Sequence, residues 1–317
     1  MEVQGRRRFR YHAAAHALSG QIWRPFQRVI EVQAPSSLPT IGGVGGSRVD
    51  DFRLDDFVSF TAGYTHVLGG QKSVSQEGRR SVGQSKREDK SSTKDREEGE
   101  SKIVHTTQVT ATIEGLNILD VVTADRIVAR LTSTHDPDEP EGRILLIGSK
   151  FENLRIAGCA VDVRLHHELL LDLETFAAVR EKWKEPHSEF RKAADDTLRA
   201  FLPRDAKLPQ MELEPYGALP CSIVKEVYFK DSSFEQNAGR EKAAQEGTKK
   251  YQHPCPGVER LGRHRFHVRD FGDIYLAEVL FEHGRKTLTM LRLELGSPNG
   301  GAIGAVEASV NGRPPYP

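Results

Sequence analysis

The sequence predicts a mainly β protein: an antiparallel sandwich or stacked β-repeat core with one helical excursion and a long disordered insertion. Three observations carry this. Most apolar residues alternate with polar ones at the two-residue period of a strand, a helical period is confined to one stretch, and one charged segment lacks aromatic residues altogether.

Phe9–Ile22 and Val29–Val32 read as strands, although Ala13, Ala14 and Ala15 keep a helix in play for the first. Gly42-Gly-Val-Gly-Gly-Ser-Arg has neither the Lys nor the spacing of a phosphate-binding loop, so it reads as a flexible turn. Gln71–Lys102 is rich in charge, Ser and Gly; such a chain buries too little to offset its conformational entropy, which predicts a disordered insertion over 71–102.

From Ile103 the alternation is regular, with Val109, Ala111 and Ile113 on one face and Gln108, Thr110 and Thr112 on the other. Gly115 breaks the run, Leu116–Val122 resumes it, and Ile127, Ala129 and Leu131 share the next inward face. His135–Gly142 holds two prolines and a glycine and reads as a turn. Strand character continues from Ile144 to Leu165.

Phe176, Val179, Trp183, Phe190, Ala194, Leu198 and Phe201 recur at helical spacing, so Leu173–Leu202 is helical, as two helices or one kinked at Pro186. A proline-rich connector, Leu208–Pro220, leads to a strand at Ser222–Phe229. Ser232–Gly262 is loop-like, with a weak helical turn near Arg240–Gln245. Strands follow at Arg265–Arg269, Ile274–Glu282, Thr287–Leu295 and Ala302–Val310, and His283-Gly284-Arg285-Lys286 forms a hairpin loop. The expected organisation is one β core from 1–70 and 103–172, a helical excursion at 173–203, and a C-terminal β region at 204–317 packed on the same core.

Charge balance, with 45 basic and 45 acidic residues, removes the simplest argument for a nucleic-acid partner. Cys159, Cys221 and Cys255 are sparse, odd in number and far apart, which favours reduced, structural thiols over a disulfide framework. The basic N-terminus lacks the apolar core of a signal peptide, and no window approaches the roughly 20 apolar residues that span a bilayer. The expected location is cytoplasmic, or extracellular if a leader precedes the chain.

Two stretches follow a common pattern, Glu114-Gly-Leu-Asn-Ile-Leu-Asp-Val-Val-Thr-Ala-Asp-Arg-Ile and Phe151-Glu-Asn-Leu-Arg-Ile-Ala-Gly-Cys-Ala-Val. Each has Leu-x-Ile, a tight bend and a further apolar strand, and Val49–Val58 is a weaker third version. Gly115–Asp125 and Asn153–Gly158 resemble the strand repeats of bacterial choice-of-anchor P surface proteins. That resemblance implies a β fold and a surface location and carries over no catalytic residue. This chain departs from the family in showing neither signal peptide nor anchor.

Several constellations invite chemistry. His12 and His16 share one face of a strand; His166 and His167 point opposite ways on one, and so do His264 and His267. No HExxH motif accompanies them, so no metal site and no cofactor are expected. The carboxylates at Asp50, Asp51, Asp55 and Asp56, and those at Asp136, Asp138, Glu139 and Glu141, read as solvated turns. No GxSxG elbow is present, and no catalytic residue is assigned. Lys249, Lys250, Arg260, Arg263, Arg265 and Arg269, interleaved with Tyr251 and Phe266, make the best local case for an anion or polyanion contact.

Three functions follow: a non-enzymatic binding or structural protein that self-associates or takes a protein or glycan ligand, a carbohydrate-active hydrolase, or a polyanion binder using Lys249–Arg269. The first fits best.

Overall fold

A computed structural model of the chain describes residues 9–75, 101–202, 217–230 and 255–311. In chain order the strands begin with β1 (Ala13–Arg24), β2 (Arg28–Gln33), β3 (Ser36–Ser37), β4 (Gly43–Leu54), β5 (Val58–Ser75), β6 (Ser101–Ile118) and β7 (Val122–His135). Next come β8 (Arg143–Leu145), β9 (Lys150–Glu152), β10 (Leu154–Ile156) and β11 (Cys159–Leu165), then helices α1 (His167–Leu171), α2 (Phe176–Trp183) and α3 (Glu189–Arg199). The chain continues through β12 (Ala218–Ser222), β13 (Val224–Lys230), β14 (Val258–Arg260), β15 (Arg265–Val268), β16 (Gly272–Glu282), β17 (Arg285–Leu295) and β18 (Gly300–Asn311).

The strands form two nine-stranded antiparallel sheets. Sheet A runs β14-β15-β16-β17-β18-β1-β2, with β12 alongside β16 and β3 alongside β1. Sheet B runs β13-β11-β10-β7-β6-β5-β4, with β8 and β9 sharing the edge of β7. The sheets pack face to face, β1 over β5 and β6, and β18 over β6 and β7. Alternation explains the core between them: Val109, Ala111 and Ile113 from β6 and Ile127, Ala129 and Leu131 from β7 are buried, as are Leu288, Leu291 and Leu293 from β17.

The predicted strands of the last third appear within a residue or two of the expected bounds, and β1 is a strand rather than a helix. The helical excursion divides at Pro186 into two helices, capped by Thr175 and Ser188.

Five expectations are corrected. Gly43–Ser47 is paired strand, not a turn: Gly46 faces His66 in the ladder, and a Cβ there would lie 2.9 Å from the Thr65 carbonyl oxygen. Gln71–Ser75 and Ser101–Lys102 extend the β5–β6 hairpin, because the ladder is closed by backbone groups and needs no apolar side chain. The remainder of the 71–102 insertion lies outside the described residues, as do Arg240–Gln245. Helical structure begins six residues early, at His167, where His166 is an N-cap accepting from the Leu169 amide at 3.1 Å, so neither histidine is on a strand. Val258–Arg260 is strand rather than loop. Finally, Cys159 and Cys255 form a disulfide (Cα–Cα 6.1 Å), and only Cys221 is a free, buried thiol. The bond joins sheet B at β11 to the segment entering β14 of sheet A.

Each sheet bends along a row of consecutive ladder positions. In sheet B, pairing skips Asp51 opposite Thr61 and Gly115 opposite Asp125. Asp51, Gly115 and Asn153 there have φ of 52°, 62° and 50°. Asn153 donates to Asp125 at 2.6 Å, and Thr61 Oγ1 to the Glu114 carbonyl at 2.9 Å. In sheet A, pairing skips Ala277 opposite Met290, and Val306 opposite Met290 and Ala17. Ala277 and Val306 take φ of 49° and 58°.

The three similar sequence segments coincide with the row in sheet B. Each pairs a left-handed residue (Asp51, Gly115, Asn153) with an apolar-x-apolar step and a hairpin bend. The bends line up, with Leu119 N–H donating to the Phe57 carbonyl and Ala157 N–H to that of Val121.

Candidate functional site

Two features stand out: a closed network of charge beside α3, and an open apolar edge on the opposite side of the sheet order.

The network begins where α3 meets β16. His264 is 1 % exposed. Its Nδ1 lies 3.5 Å from Asp196 of α3 and its Nε2 lies 3.7 Å from Glu278 of β16, ion-pair distances at which neither nitrogen completes a hydrogen bond. Asp196 also accepts from the Arg263 amide at 2.8 Å. Glu278 takes a two-pronged contact from Arg292 of β17, at 2.6 and 3.0 Å. The Arg292 guanidinium stacks on the Tyr275 ring at 3.6 Å, and Arg265 lies over the same ring at 5.3 Å. Tyr275 OH reaches Glu294 at 3.1 Å, while Asp273 binds Arg265 at 2.6 Å and His267 at 2.8 Å.

Electrostatics follow from this geometry. Burial pulls the His264 pKa down, but Asp196 and Glu278 outweigh it and the net direction is up. Burial pushes Glu278 up, yet His264 and Arg292 bring it below the usual carboxylate value. Asp196 and Asp273 are lowered in the same way by their basic partners against the pull of burial. Burial raises Tyr275 to about 12, which keeps the phenol neutral.

A second buried base lies further along the β16–β17 hairpin. Lys286 donates to the carbonyls of Ile144 (2.8 Å), Glu174 (3.0 Å) and Leu173, and so ties β8 and the α1–α2 link to sheet A. Burial lowers it to about 7.

The basic segment singled out in the sequence is drawn largely into this region. Arg263 pairs with Glu189 at 3.4 Å and Arg265 with Asp273. Arg260 lies over Phe266 and donates to the Gly262 and Arg263 carbonyls. Arg269 is exposed beyond the end of β15, and Lys249 and Lys250 lie outside the described residues. Of the other histidines, His12 is exposed and His16 bonds Ser19 at 3.0 Å. The acidic turn after β7 is taken up in ion pairs: Lys102 binds Asp136 and Asp138, Arg143 binds Glu139, and His283 binds Glu141. Of the other acidic set, Asp50 and Asp51 lie in β4 and Asp55 and Asp56 in the turn after it. No group of three or more metal-ligating side chains occurs among the described residues.

Asp196, Glu278, Tyr275 and Arg292 are not singled out by any sequence motif. For Glu278 a signal existed: it is a lone charge inside the apolar run Ile274–Phe281, where an unpaired charge would be costly.

The open edge has a different character. Of the exposed large apolar side chains, Trp23, Phe26, Val29, Val32, Ile41 and Val44 all belong to β1, β2, β4 or their links, with Val29 at 65 % and Val44 at 66 % exposure. β2 ends sheet A and β4 ends sheet B, and the two strands lie near one another. Gln33 folds back to donate to the Glu31 carbonyl at 2.7 Å. β4 carries Arg48, Asp50 and Arg53 and the left-handed Asp51, devices that discourage strand addition; β2 offers two exposed valines.

Fold and surface together define an antiparallel β-sandwich with a helical excursion pinned to one sheet by buried bases. The chain belongs to the family described as Domain of unknown function (DUF8256), whose model matches residues 9–89 and 82–282. No curated protein and no solved structure matched the chain. No described helix is long and apolar enough to cross a membrane.

Proposed function

We propose that this chain is a non-enzymatic binding or structural protein that makes its contacts through the open β2–β4 edge. The observation that carries this reading is the gathering of exposed apolar side chains on that edge. The buried carboxylates support it from the other direction. Asp196, Asp273 and Glu278 are each held ionised by a base, whereas a glycosidase acid needs its pKa raised. Arg263 and Arg265 direct their charge to Glu189 and Asp273, which weakens the case for a polyanion contact.

The Cys159–Cys255 bond supports an oxidising compartment rather than the cytoplasm. The resemblance of Gly115–Asp125 and Asn153–Gly158 to strand units of choice-of-anchor P surface proteins supports the same placement, and the common geometry of the three bend segments supports their being copies of one unit.

A panel of polysaccharides incubated with the full chain tests the non-enzymatic reading. No turnover is expected. Hydrolysis that disappears in Glu278→Gln or Asp273→Asn contradicts it.

A further inference from the structure

We propose that His264 is a protonation-controlled latch that fastens α3 to the β16–β17 hairpin, so that this end of the helical excursion docks in acid and loosens above neutrality. The argument starts from burial. An imidazole 1 % exposed with two carboxylates at 3.5 and 3.7 Å, and no hydrogen bond on either nitrogen, sits where an imidazolium is favoured and a neutral ring gains little.

The surrounding charges sharpen this. Arg292 serves Glu278 and also Glu294. The Arg263 side chain goes to Glu189 of α3, leaving its backbone amide for Asp196. Arg260 also acts on Asp196 through space, and the neutral Tyr275 ring lies 6.3 Å from the imidazole. On loss of the proton Asp196 and Glu278 remain charged around a neutral ring, with Arg292 still paired to Glu278 and the Arg263 amide still donating to Asp196.

The sign follows from the raised pKa. The contribution of the latch is fully present below the ordinary histidine value of 6.5 and is lost as pH rises through the higher folded-state value. The uncharged packing of α3 on β12 remains in either state, through buried Phe190, Ala193 and Ala194. Thr197 Oγ1 accepts from the Ser222 amide at 2.9 Å and Phe190 lies edge-on against Phe281 at 5.7 Å, so loss of the latch loosens α3 without releasing it. The other end of the excursion is held separately by Lys286, whose depressed pKa gives the opposite trend, stability rising with pH from about 7 toward the ordinary lysine value of 10.5.

Hydrogen exchange on the full chain, corrected for intrinsic rates, reads both ends at once. Protection of α3 amides should fall several-fold between about pH 6 and about pH 8.5, while that of α1 and α2 does not fall. In His264→Gln the α3 protection should be low and flat with pH. Ring-proton NMR of His264 in the native chain gives a reading that needs no variant at that position, and Asp196→Asn should move its titration to lower pH. Protection of α3 that is independent of pH in the native chain, or a His264 titration unmoved by Asp196→Asn, overturns the proposal.

Discussion

In sheet B the row of left-handed residues runs through Asp51, Gly115 and Asn153; in sheet A it runs through Ala277 and Val306. The two sheets therefore bend by one device built from different chemistry. Glycine, asparagine and aspartate reach positive φ at small cost, whereas a β-branched valine there is a genuine outlier. Ala277 and Val306 are also fully buried, so packing on both sides holds them in place. Sheet B writes its bend into the sequence, while sheet A imposes it through tertiary contact.

That difference explains what could be read. The bend segments of sheet B were visible as similar stretches around Gly115 and Asn153, because the residue types themselves carry the conformation. Nothing in Tyr-Leu-Ala277-Glu or Ala-Val306-Glu distinguishes a bent strand from a straight one. The remaining gaps have similar causes. Cys159 and Cys255 are 96 residues apart, and only the stacking of the two sheets brings them together. Lys286 looked like a hairpin loop residue, but the turn is the two-residue His283–Gly284 and the lysine points inward. His264 looked like one of several ordinary histidines, and its carboxylates come from two distant elements. Strand alternation and helical period, being local, were legible in the long strands and in α2 and α3, but not in the glycine-rich start of β4, the short β14 or the five-residue α1.

Four variants separate written from imposed structure, beginning with the bond that ties the two sheets together. Replacing Cys159 and Cys255 with serine should cost roughly 4 kcal/mol in denaturant unfolding, as the 96-residue closure is lost. Gly115→Val should cost about 3 kcal/mol, since a Cβ there meets Thr61 Oγ1 at 2.6 Å and φ is 62°. Asn153→Ala removes the bond to Asp125 and a residue suited to positive φ, for about 1 kcal/mol. Ala277→Gly should move stability by less than about 1 kcal/mol, because relief at φ 49° is offset by chain entropy and a lost buried methyl. A large loss at Ala277 together with none at Gly115 would reverse the comparison.

The two sides of the sandwich differ as well. One is stapled by Cys159–Cys255, and the other presents Val29, Val32 and Val44 to solvent. The central claim, that the open side is the surface through which the chain self-associates, is tested most directly by native mass spectrometry of the full chain over a range of concentrations, set beside Val29→Asp/Val32→Asp. We predict a discrete assembly for the native chain and a bare monomer for the variant. A native chain that stays monomeric at every concentration, or a variant that assembles as well as the native chain, would contradict it.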